Sequence, residues 1–172
     1  AWFASGVAGT FVLGVWFNGM LMPGLRNFWT APQITKAADR LISCKRGTVA
    51  VSGFREPSLV LALRGKALVG TPQEAAQTMS RSTTRGAAHF AIIESRIDDA
   101  FRKAISAGGA STKLHRLGCI RSVNLARGCS LLFNVYAGAD NAALRECKFE
   151  LASNCEAQHD RLSKALKVPH CN

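Results

Sequence analysis

The first twenty-five residues, Ala1 to Leu25, hold no charged side chain. Acidic residues are scarce throughout, with 11 Asp and Glu against 22 Lys and Arg and a formal net charge of +11. A surface so short of carboxylates points to a polyanionic partner, whether nucleic acid, anionic lipid or lipid phosphate. The six cysteines form no CxxC pair, which leaves a zinc site with little support. No GxSxG setting surrounds Ser58, so nothing marks it as an activated hydroxyl. Glycine-rich phosphate loops are missing too, because Gly65 and Gly70 lack the pattern that should follow. His89, His115, His159 and His170 lie far apart, and none has a second histidine at metal-binding spacing.

What is present begins with the uncharged run AWFASGVAGTFVLGVWFNGMLMPGL. A helix rising 1.5 Å per residue needs about 20 apolar residues to cross roughly 30 Å of hydrocarbon, so residues 1–25 are expected to form a transmembrane helix. A secretory signal would need a basic leader, and none precedes the run. Gly6, Gly9, Gly14 and Gly19 suit close approach of neighbouring helices, so upstream membrane helices or other membrane subunits are expected partners. The opening Ala1 fits a piece of a longer polypeptide. Arg26, Lys36, Arg40, Lys45 and Arg46 follow at once, against Asp39 as the one acid of that stretch. Basic residues so placed attract anionic head groups, at about 1 kcal/mol each near the surface. They also favour a cytoplasmic side for whatever follows the run.

The remaining residues suffice for one domain with a real core. Nucleic acid is not expected as its partner. Lys and Arg are scattered rather than striped, aromatics are not interleaved with them, and no zinc-finger or helix-turn-helix pattern appears.

Periodicity divides the body into alternating elements. Thr30 to Ile42 places Ile34, Ala37, Ala38, Leu41 and Ile42 on one helical face. TVAVS, Thr48 to Ser52, is a β-branched run between Gly47 and Gly53 and predicts a buried strand. Ser58 to Leu63 suits either type, and Ala67 to Val69 predicts a short strand. Thr71 and Pro72 open a helix through Met79, with Glu74 at its positive end. HFAII, His89 to Ile93, predicts a strand, and Asp98 to Ala107 an amphipathic helix ending at Gly108 and Gly109. Asp98 and Asp99 sit in its first turn, where the helix dipole accounts for them without catalysis. Leu114 to Val123 and Ser130 to Tyr136 predict a hairpin turning at Asn124 to Cys129. The expected fold class is therefore α/β, one N-terminal transmembrane helix followed by a small mixed-sheet domain with helices packed on it. The domain spans 26–138, and a marginally structured tail occupies 139–172.

Cys44, Cys119, Cys129, Cys147, Cys155 and Cys171 are all disulfide candidates in an oxidising compartment, and small buried apolar side chains otherwise. Six cysteines allow fifteen connectivities, and their spacing selects none.

FNGMLMPGLRNFWTAPQI, then TVAVSGFREPSLVLALRGKALV, PQEAAQ, HFAIIES and CIRSVNLARGCSLLFNVYAG, resemble in order and spacing the carboxy-terminal end of bacterial polytopic glycosyltransferases of the aminoarabinose transferase and protein O-mannosyltransferase type. The resemblance runs from about Trp16 to Gly138, with GFREPSLVL and NLARG as its most specific pieces. It implies the distal region of an inner-membrane enzyme that moves a sugar from a polyprenyl phosphate carrier to a lipid A-like or protein acceptor. The domain would then lie on the periplasmic side, against the leaning of the basic residues. The family's catalytic acid lies in an early loop upstream, so the resemblance implies no catalytic residue, no metal and no cofactor in this chain. The tail after Asp140 departs from the family.

Arg55, Glu56 and Ser58 are the substrate-binding candidates. They follow a short strand, where open α/β sheets tend to bind ligands. Arg55 has the donor fork for a lipid phosphate, Glu56 would orient it, and Ser58 would start a helix. The plain alternative is a surface Arg–Glu pair worth roughly 0–1 kcal/mol and a serine cap. A noncatalytic membrane-anchored interaction module, or an accessory subunit of a larger membrane complex, is the competing function.

Overall fold

The computed structural model describes residues 2–17, 19, 29–45, 47–80, 88–108, 114–124, 127–138, 160–161, 163–164 and 169–171. Helix α1 (Trp2–Trp16) is followed by α2 (Thr30–Lys45), β1 (Thr48–Ser52), α3 (Pro57–Leu63), β2 (Ala67–Gly70), α4 (Pro72–Ser80) and β3 (His89–Glu94). A single 3₁₀ turn (Ser95–Ile97) leads into α5 (Asp98–Ala107), and the hairpin β4 (His115–Asn124) and β5 (Cys129–Gly138) follows.

The five strands form one mixed sheet in the order β2-β1-β3-β5-β4. β1 pairs parallel with both β2 and β3, and β5 pairs antiparallel with both β3 and β4. Successive strand residues point to opposite faces, so each strand feeds two cores. On one face Val49, Val51, Phe90, Ile92, Phe133 and Val135 pack with Ile34, Ala38 and Leu41 of α2 and with Leu59 and Leu63 of α3. On the other, Ala50, Ala91, Ile93 and Tyr136 meet Ala75, Ala76 and Met79 of α4 and Phe101 and Ile105 of α5. All of β5 is buried, as the sequence pattern of a strand covered on both sides requires.

Helix starts follow local chemistry. Thr71 and Glu74 form a reciprocal capping box before α4: the Thr71 backbone N–H donates to Glu74 Oε2 at 2.7 Å, and the Glu74 N–H donates to Thr71 Oγ1 at 3.2 Å. These bonds, with Arg55 nearby, hold the Glu74 carboxyl below its ordinary value. Ser58 to Leu63, open to either reading in sequence, is helical because Pro57 fixes the first turn and Leu59 and Leu63, one turn apart, both reach the core. α3 ends on Arg64 in the left-handed region, φ 46°, before Gly65.

The expected transmembrane helix is corrected. Among the described residues no helix is long and apolar enough to cross a membrane. α1 has 15 residues, which at 1.5 Å per residue is roughly 22 Å against a hydrocarbon core of about 30 Å. The uncharged run measures composition, whereas a span needs an unbroken helix, and among the described residues the α-helix covers Trp2–Trp16. Phe11, Leu13 and Trp16 of α1 are exposed, and none of these three belongs to either core. The chain is thus a small mixed α/β domain preceded by a short apolar helix.

Of the proposed tail, the described residues 169–171 lie along the start of β5. The Ser130 N–H donates to the Pro169 carbonyl at 2.9 Å, and the Cys171 N–H to the Ser130 carbonyl at 3.2 Å. A disulfide joins Cys129 to Cys171, with the Cα atoms 5.0 Å apart. Cys119 is also disulfide-bonded. Cys147, Cys155 and the side chain of Cys44 fall outside the described residues.

Candidate functional site

Connection order creates a crevice. α3 carries the chain from β1 outward to β2 across one face, and α4 carries it back past β1 to β3 across the other. The loops leaving β1 and β3 therefore part, and the gap between their carboxyl ends is the topological switch point at which open α/β sheets bind ligands.

A cleft of about 420 Å³ opens there. Its walls come from segments far apart in sequence. β1 and its loop supply Ser52, Gly53, Arg55 and Glu56, the end of β2 supplies Gly70 and Thr71, and the end of β3 supplies Glu94 and Arg96. The β4–β5 hairpin adds Asn124 and Arg127, and Cys171 closes one side. Ser52, fully buried, donates its hydroxyl to the Gly70 carbonyl at 2.9 Å and so fixes the ends of β1 and β2 together.

Gly53 is required by its position. It stands at φ +102°, and a Cβ there would fall 2.4 Å from Glu94 Cβ and 2.8 Å from Glu94 Oε2. Glu94 is 1% exposed, although it ends a strand of apolar residues. Its Oε1 accepts a hydrogen bond from the Arg96 Nε–H, which raises the Arg96 pKa. Its Oε2 is buried without a hydrogen-bond partner among the described residues. Arg55 and Arg127 both line the cleft, and Arg55 also lies close enough to Glu74 to help lower its pKa.

A second cavity of about 490 Å³ adjoins the first. Glu56 and Asn124 line both. Its other walls are mostly apolar, with Trp29, Ala31 and Pro32 at the start of α2, Ala62 of α3 and Val123 of β4. The pair of cavities offers a polar chamber with arginines beside an apolar one, a layout matched to an amphiphile with an anionic centre.

The three sequence candidates divide between these chambers. Arg55 lines the polar cleft, Ser58 the apolar one, and Glu56 stands at their junction. Glu56 Oε2 accepts from the Ser58 hydroxyl at 3.4 Å rather than orienting Arg55. Glu94, Arg96 and Arg127 escaped sequence reasoning. Arg127 lies within NLARG, but nothing in its local spacing marks a ligand, and Glu94 falls just beyond the predicted strand His89 to Ile93. Among the described residues no three His, Cys, Asp or Glu side chains come together as metal ligands.

No protein-family model, no curated protein and no solved structure matches this chain.

Proposed function

We propose that this chain is a distal, noncatalytic α/β region of a lipid-linked sugar transferase, and that its paired cavities hold the phosphate and the first isoprene units of a polyprenyl phosphate-linked sugar. One observation carries the reading: the arginine-bearing cleft and the apolar chamber meet at Glu56 and Asn124. A prenyl phosphate has the same two parts, a charged head and an apolar tail, joined by one bond. Arg55 and Arg127 supply bidentate donors for the phosphate oxygens, and the net charge of +11 draws such an anion or a lipid surface toward the protein. The Cys129–Cys171 bond favours an oxidising compartment, in keeping with a periplasmic location at the bacterial inner membrane. Reaction chemistry would come from upstream parts of the enzyme.

The accessory-module reading draws on a different feature. Phe11, Leu13 and Trp16 leave α1 an apolar surface that suits contact with another subunit.

Equilibrium binding of farnesyl phosphate, with farnesol and inorganic phosphate as controls, tests the main reading. Farnesyl phosphate is expected to bind more tightly than either control, and Arg55→Ala with Arg127→Ala is expected to lower its affinity at least tenfold while the fold persists by circular dichroism. Equal affinity in the double variant would remove the cleft as a phosphate site and leave the accessory module as the better account.

A further inference from the structure

The two arginines at the cleft's rim explain a phosphate, but they do not explain Glu94. A carboxyl group almost wholly buried beside an anion site is costly unless each oxygen has a donor. Arg96 satisfies Oε1, and Oε2 has none among the described residues. The protein side of that oxygen is closed, because Gly53 packs against it so tightly that even a methyl group would collide. The cleft that Glu94 lines is the side from which a donor can arrive.

We infer that Glu94 is a sugar-binding residue, its Oε2 accepting a hydrogen bond from a ring hydroxyl of a glycosyl phosphate whose phosphate lies between Arg55 and Arg127. The inference rests on the phosphate reading of the same cleft and adds the group on the far side of the phosphate. Donor and acceptor types are complementary. Guanidinium forks suit phosphate oxygens, and a carboxyl oxygen suits an O–H but repels a bare anion. Arg96 acts as a positioning residue by fixing Oε1, which leaves Oε2 as the free acceptor. With the prenyl chain in the apolar chamber, the sugar and the phosphate occupy the polar cleft, the phosphate beside Arg55 and Arg127. The cleft's volume of about 420 Å³ accommodates a single hexose with its phosphate.

The test compares α-D-glucose 1-phosphate with methyl phosphate by calorimetric titration of the full 172-residue chain. Both ligands carry the same phosphate monoester, and only one carries ring hydroxyls. Glucose 1-phosphate is expected to bind about tenfold more tightly. Glu94→Gln is expected to erase that advantage, so that the two ligands bind the variant within about twofold of each other. Equal binding of the two ligands by the unaltered chain overturns the assignment and spares the phosphate site, and that comparison needs no variant to fold. An advantage that survives Glu94→Gln also overturns it. Failure of both ligands to bind removes the phosphate reading itself and this inference with it.

Discussion

The parallel and antiparallel halves of the sheet serve different ends. β1, β2 and β3 run parallel, so every connection between them crosses a face, and their carboxyl ends open into loops. β4 and β5 form a hairpin with β5 buried along its whole length, and the Cys129–Cys171 bond ties its start to the chain's end. One half diverges and leaves a crevice, and the other closes and holds the crevice's far wall. Asn124, Arg127 and Cys171 reach the cleft from the closed half, so the site depends on both.

Breaking the disulfide is expected to have the largest effect. Cross-linking residues 42 apart removes chain entropy worth about 4 kcal/mol in the unfolded state. Cys129→Ser with Cys171→Ser should therefore lower the denaturation midpoint strongly, measured by urea titration. Retention of farnesyl phosphate binding in whatever remains folded would show that the open half keeps the site without its clamp.

Gly53→Ala attacks the open half directly. Alanine must adopt φ near +102° and place its methyl against Glu94, which should cost about 2–4 kcal/mol from left-handed strain and overpacking together. Thermal unfolding would register the loss. Ligand affinity should fall further than stability alone explains, because Glu94 must shift. A neutral Gly53→Ala would mean that the β1 loop yields freely and that the two halves are less unlike than their topology suggests.

The smallest effect sharpens the comparison from the face opposite α2 and α3. Tyr136 of β5 donates its hydroxyl to Asp98 Oδ1 at 2.6 Å and accepts from Arg102 at 2.8 Å. Burial and the Asp98 carboxylate push its pKa from 10.0 up to about 12. The folded chain thus keeps the proton that the unfolded chain gives up first. The stabilisation is complete below pH 10 and disappears as the pH rises to about 12. Tyr136 is the sole tyrosine in the sequence, so its ultraviolet titration reports on this site alone. Tyr136→Phe should cost about 1–2 kcal/mol at neutral pH and flatten the alkaline decline. An ordinary titration near pH 10 would show that the closed half opens locally around α5.

Much of this fold was legible beforehand, and the reasons are specific. TVAVS and HFAII are apolar runs too short for helices, Pro72 and Glu74 mark a helix start, and Gly128 marks the hairpin. Each signal lies within a few residues of what it specifies. Arg55, Glu56 and Ser58 were reached through position alone, as the residues after a strand, and they do line the cavities. Residues 1–25 misled for the opposite reason: absence of charge describes a stretch of chain, whereas a membrane span depends on how far one helix continues, and no helix among the described residues is long and apolar enough.

By itself the sequence determined the periods, the caps and the apolar faces, since those depend on neighbours a few positions away. Only the tertiary structure decided that Glu94, Arg96 and Arg127 share a cleft with Arg55. Their meeting depends on β3 pairing beside β1 and on β5 returning antiparallel to β3. No local pattern encodes that order. It follows from burying two sheet faces at once, with helices that must cross on opposite sides.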